Sequence, residues 1–105
     1  MDNKKIFFLS LVTIFALTST GLAFAAGDAA AGEKKATAQC ASCHGANGEG
    51  MGENPKLAGM DQAKFIKSMN VYKTGEKKHM MMEMFAKKLS DQDNADLAAF
   101  YAAKK

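Results

Sequence analysis

The chain has 105 residues, with 14 basic against 11 acidic side chains, a formal charge of +3 and 48% hydrophobic residues. Every basic residue is lysine, and neither arginine nor tryptophan occurs anywhere in it. That length confines it to one small domain, and so mild a charge lacks the concentrated basic footprint that nucleic-acid binding needs.

Asp2, Lys4 and Lys5 form a short charged head, followed at residues 6–17 by an apolar run broken only by Ser10 and Thr13. The stretch "TSTGLAFA" then ends in Ala23 and Ala25, the A-x-A form of a secretory cleavage site. This pattern predicts a signal peptide over 1–25, a mature domain over 26–105 and a periplasmic destination. An uncleaved anchor is the rival reading, because residues 6–26 reach the about 20 apolar residues that a membrane span needs; the small-residue end argues for cleavage. A mature chain this short and rich in Ala, Lys and Met is thinly provided with core.

Asp28 can cap a first helix through "AAAGEKKATAQC", which delivers the cysteines at its carboxyl end. Residues 45–56, "GANGEGMGENPK", form a loop by composition. Asp61 can cap a further helix, with Phe65, Ile66, Met69 and Tyr72 on one face and Gly75 as its stop. The last helix opens at Ser90 with Asp93 three residues on, a variant of the capping box. It carries Leu97, Phe100 and Tyr101 on one face and ends in Lys104 and Lys105, which complement the helix dipole. No alternating strand pattern appears, so the fold class is all-α.

The chemistry concentrates in "QCASCHG", residues 39–45, which holds both cysteines and one of the two histidines. A Cys40–Cys43 disulfide would close too small a loop to stabilise much, since the benefit grows with loop length. A thioredoxin-like pair wants a βαβ setting, and zinc wants four ligands where only His79 remains to join the three here. Covalent haem attachment by C-x-x-C-H fits best: each thiol adds to one vinyl group, and His44 turns its imidazole to the iron. No carboxylate pair, nucleophile–base arrangement or phosphate loop points to an enzyme instead.

Several separated features, namely Gly32 ahead of "CASCHG", "NPKLAG" at 54–59, "YKTG" at 72–75, "MMM" at 80–82 and "LSDQDNADLAAFY" at 89–101, resemble class I cytochromes c, in particular small bacterial c553-like and c4-domain-like forms. The resemblance implies a cytochrome c fold of three to four helices around one covalently attached haem c. It implies first and last helices that cross with Gly32 at the contact and Phe100 at the matching aromatic position. Ala36 departs from it, standing where the family usually places an aromatic residue. It assigns Cys40 and Cys43 to the thioethers, His44 to the iron and the carbonyl of Pro55 to the other imidazole nitrogen. For the opposite ligand it selects Met82, seven positions before Leu89, with Phe85 as the bulky apolar residue three further on. Met81 is the runner-up and His79 a third candidate.

The function implied is a periplasmic, monomeric one-electron carrier, not an enzyme, that meets membrane-associated or periplasmic redox proteins transiently. Lys56, Lys77, Lys78, Lys87 and Lys88 form either a solvated face or a docking collar for acidic partners. The alternatives are a haem-based gas sensor or haem enzyme with a labile distal Met, and an accessory redox subunit held in a larger complex.

Overall fold

The computed structural model describes residues 26–105, so the expected signal peptide over 1–25 lies outside the described residues. Among the described residues there are five helices and no strand: α1 (Ala29–Gln39), α2 (Ala41–His44), α3 (Gln62–Lys73), α4 (Met80–Lys88) and α5 (Asp91–Ala102). Four of them match the expected three to four helices, and α2 is a single added turn. No described helix is long and apolar enough to cross a membrane.

Local chemistry sets most of the helix starts. The Asp28 carboxylate accepts from the Ala30 and Ala31 N–H groups at 2.9 and 3.3 Å, and that of Asp61 from the Lys64 N–H at 3.0 Å. At α5 the capping box is complete: the Asp93 N–H donates to the Ser90 hydroxyl, and the Ser90 N–H donates back to the Asp93 carboxylate, each at 3.0 Å. The Ser90 backbone bond holds the Asp93 carboxyl below its ordinary value. The contribution of that carboxylate is therefore complete above the usual carboxylate range and fades only as the pH falls below it.

α1 packs most extensively on α5. Its inward face is Gly32 and Ala36, four residues apart, and both are buried. A glycine inside a helix costs about 1 kcal/mol against alanine. Here the missing Cβ is what lets the helices touch, because one at Gly32 would collide with the Asp96 carbonyl and reach Phe100 Cβ at 3.0 Å. Ala36 is 1% exposed, so its small side chain is sealed within the core. Asp96 ties the crossing polar-side as well, accepting from the Asp28 N–H and from the Gln92 amide, both at 2.8 Å.

α3 supplies Phe65 and Met69 to the core shared with Leu89, Leu97, Phe100 and Tyr101, with Ile66 and Tyr72 partly buried against it. Its end is the expected one: Gly75, at φ 76°, adopts the left-handed turn that suits glycine. The Lys73 ammonium then donates to the Leu89 carbonyl at 3.0 Å, joining α3 to the junction of α4 and α5.

α4 is the element that sequence pattern alone did not mark. Its N-cap is His79, whose Nδ1 accepts the Met82 N–H at 3.2 Å, while the Glu83 carboxylate accepts the His79 N–H at 3.2 Å. Met82, Phe85, Ala86 and Leu89 follow at helical spacing, and all four are buried or half-buried.

Candidate functional site

α2 is the turn on which the C-x-x-C-H run is folded. The Cys40 carbonyl accepts from the Cys43 and His44 N–H groups at 3.2 and 2.9 Å, and Gly45, at φ 93°, ends the turn. Helical geometry puts residues three apart on neighbouring positions of one face, so both thiols are presented from the same turn, free, with Cys40 half-buried and Cys43 exposed. Burial pushes the Cys40 thiol up, and the neighbouring Cys43 adds to that shift.

His44 is 7% exposed, and its Nδ1 lies 2.9 Å from the Pro55 carbonyl oxygen. A carbonyl can only accept, so Nδ1 carries the proton. In a neutral ring that leaves the Nε2 lone pair available. The loop that brings Pro55 there is closed by its own backbone. The Gly50 N–H donates to the His44 carbonyl at 2.7 Å, and the Leu57 and Ala58 N–H groups donate to the Gly48 carbonyl at 2.7 and 2.9 Å. The Asn54 amide donates to the Cys43 carbonyl at 2.9 Å, pinning the residue before Pro55 to the motif itself.

Cys40, Cys43, His44 and Pro55 thus meet in one place. Met82 comes from α4, partly buried against the same core cluster that Cys40 packs on. Its neighbours point elsewhere: Met80 is 83% exposed, Met81 47% and Met84 45%. His79 is also outside, exposed, with Nδ1 used by the α4 cap and its ring edge-on to Tyr72 at a centroid distance of 6.3 Å. Sequence reasoning missed two residues here. Asn54 carried no signal beyond its place before Pro55, and Gly48 carried none beyond its loop composition.

The donor set fits a covalently bound haem: two unpaired thiols on one turn and an imidazole fixed through the nitrogen that a ligand would not use. It fits zinc poorly, since no group of three or more His, Cys, Asp and Glu suited to a metal ion exists among the described residues. An all-helical frame around a C-x-x-C-H turn defines a c-type haem protein, with one haem c attached to the chain.

The chain belongs to the cytochrome c family, whose family model, Cytochrome c, matches residues 29–102. It is 47% identical over 93 residues to cytochrome c4 of Pseudomonas aeruginosa, covering 88% of this chain and 46% of that protein. It is 44% identical over 107 residues to cytochrome c4 of Azotobacter vinelandii, covering 91% and 50%. With cytochrome c-554(548) of Halomonas halodenitrificans it shares 40% over 82 residues, covering 74% and 98%. The chain therefore spans about half the length of the cytochromes c4 it matches and nearly all of the c-554(548).

Proposed function

We propose that this chain is a one-electron carrier of the periplasm in which Cys40 and Cys43 tether the haem and His44 and Met82 ligate its iron. The bound group supplies a ferric–ferrous couple, and imidazole with thioether ligation raises its potential relative to two imidazoles. The observation that carries the reading is the orientation within α4: of the methionines at 80, 81, 82 and 84, only Met82 packs on the core. Met81 and His79 are the alternatives that this orientation disfavours. Pro55 acts through His44, fixing the ring and keeping its proton on Nδ1.

An iron held by His44 and Met82 together would leave no open position for a substrate, which is why the reading is a carrier rather than a sensor or haem enzyme. The residues that would hold it are His44 at the end of α2 and Met82 in the first turn of α4. The partners proposed are membrane-associated or periplasmic redox proteins, met transiently by a monomer. Lys56, Lys77, Lys78, Lys87 and Lys88 are all exposed. Lys77 lies over the Tyr72 ring at 5.2 Å, Lys88 over Phe85 at 5.9 Å, and Lys78 is 3.9 Å from Glu83. Their charges stay in water and are suited to weak steering of an acidic partner.

A redox titration of the haem-loaded protein tests the reading. It should give one reversible wave with a slope of one electron and the same ligation spectrum in both states. A hysteretic wave, or a change of ligand on reduction, would contradict it.

A further inference from the structure

We propose that His79 is a positioning residue for the distal ligand: by capping helix α4 on the backbone of Met82 itself, it sets how readily the Met82 thioether leaves the iron. The inference rests on the reading of Met82 as that ligand and goes beyond it by giving a role to the histidine outside the C-x-x-C-H run. The Met82 N–H donates to His79 Nδ1 at 3.2 Å, and the His79 N–H donates to the Glu83 carboxylate at 3.2 Å. The two bonds run in opposite directions across one turn, much as in a capping box. Histidine here takes the N-cap place usually held by serine, threonine, aspartate or asparagine. Because Nδ1 accepts, the proton of the neutral ring lies on Nε2, and neither nitrogen keeps a free lone pair for a metal.

The leverage comes from how unevenly α4 is anchored. Its carboxyl end is held by Ala86 and Leu89, both buried, and by the Lys73 ammonium on the Leu89 carbonyl at 3.0 Å. Toward the amino end Met80, Met81 and Met84 are exposed, and of residues 80–82 only Met82 packs on the core. A helix of nine residues does not hold its first turn unaided, since isolated helices shorter than about 12–15 residues are marginal in water. The bond from the Met82 N–H to His79 is therefore what keeps that turn wound. The segment ahead of the helix is tied to it again by the Lys78 ammonium, 3.9 Å from the Glu83 carboxylate. The His79 ring rests edge-on against Tyr72 at a centroid distance of 6.3 Å. When the turn unwinds, the Met82 backbone carries its thioether away from the core, so opening of the cap and opening of the iron–sulfur bond are one event.

The test is the rate at which the ferric haem-loaded protein binds cyanide at saturating concentration, where departure of the distal side chain limits the reaction. His79→Ala should bind about fivefold faster, within the roughly two- to thirtyfold that loss of a helix N-cap is worth. His79→Asn should return to the wild-type rate or below it, because asparagine carries an acceptor the same number of bonds from the backbone. His79→Phe keeps a ring beside Tyr72 but loses the acceptor, and should match the alanine variant. Equal rates in the wild type and His79→Ala, or a His79→Asn variant as fast as His79→Ala, overturn the proposal. Hydrogen exchange supplies a readout apart from the iron. The Met82 amide should be protected in the wild type and in His79→Asn, and exchange faster in His79→Ala. A Met82 amide that exchanges alike in the wild type and His79→Ala overturns it as well. A wild type without the ferric sulfur–iron charge-transfer band defeats the Met82 reading itself. With the band present, cyanide rates that ignore His79 defeat the capping proposal alone.

Discussion

Replacing Met82 with alanine should abolish the low-spin thioether-ligated state of the haem-loaded protein. The expected readout is complete loss of the ferric sulfur–iron charge-transfer band, a lower potential and a ferrous form that binds carbon monoxide. Met81→Ala should leave all three as they are. The contrast follows from the geometry of α4: Met82, Phe85, Ala86 and Leu89 share its inward face, whereas Met81 is 47% exposed on the outside. Helix stability should change little in either variant, because methionine and alanine are both good helix formers and the α4 cap rests on the Met82 backbone N–H, not on its side chain. A charge-transfer band that survives in Met82→Ala and vanishes in Met81→Ala would move the ligand by one residue. Helix α4 would then have to rotate by about a quarter turn, since successive residues in a helix stand roughly 100° apart.

The second large effect concerns the frame. Gly32→Ala should destabilise the folded haem-loaded protein by about 1–3 kcal/mol, the usual cost of forcing a methyl group into a full interior. The new Cβ would press on the Asp96 carbonyl, which is backbone and cannot rotate away, and meet Phe100 Cβ at 3.0 Å. On an open helix face the same substitution would stabilise by about 1 kcal/mol through propensity, so the sign of the change separates the two situations. Chemical denaturation followed at the haem band measures it. A neutral or stabilising result would mean that α1 and α5 do not approach as closely as the structure has them.

Those two sites differ in how they can be read. The caps at Asp28, Asp61 and Ser90 are legible in sequence because a cap is a contact between residues two or three apart, and side-chain chemistry at that range is nearly self-sufficient. The C-x-x-C-H run is legible for the same reason, since one turn contains its whole geometry. α4 escaped because His79 is not among the favoured capping residues, and because four methionines blur the contrast between faces on which a periodic pattern depends. Its inward face becomes visible only once Ala86 and Leu89 are seen buried in the common core.

Long-range contacts were legible only through resemblance. Nothing near Gly32 announces that Asp96 will press on it, and nothing near Gly48 announces the Tyr101 ring. Asn54 shows the same limit, since its bond to the Cys43 carbonyl spans eleven residues of loop. The aromatic missing at Ala36 is a case where packing answers what pattern could not. The small residue is 1% exposed and buried in the same core cluster as Phe100 and Tyr101 of α5.

Ligation by both His44 and Met82 would close the haem on both faces, and the absorption spectrum of the ferrous protein with and without carbon monoxide reads that closure without any variant. The expected result is a ferric sulfur–iron charge-transfer band and a ferrous spectrum that carbon monoxide leaves untouched near neutral pH. A prompt shift of the ferrous bands on adding carbon monoxide would contradict it, showing a distal bond that yields and placing the sensor or enzyme reading ahead of the carrier.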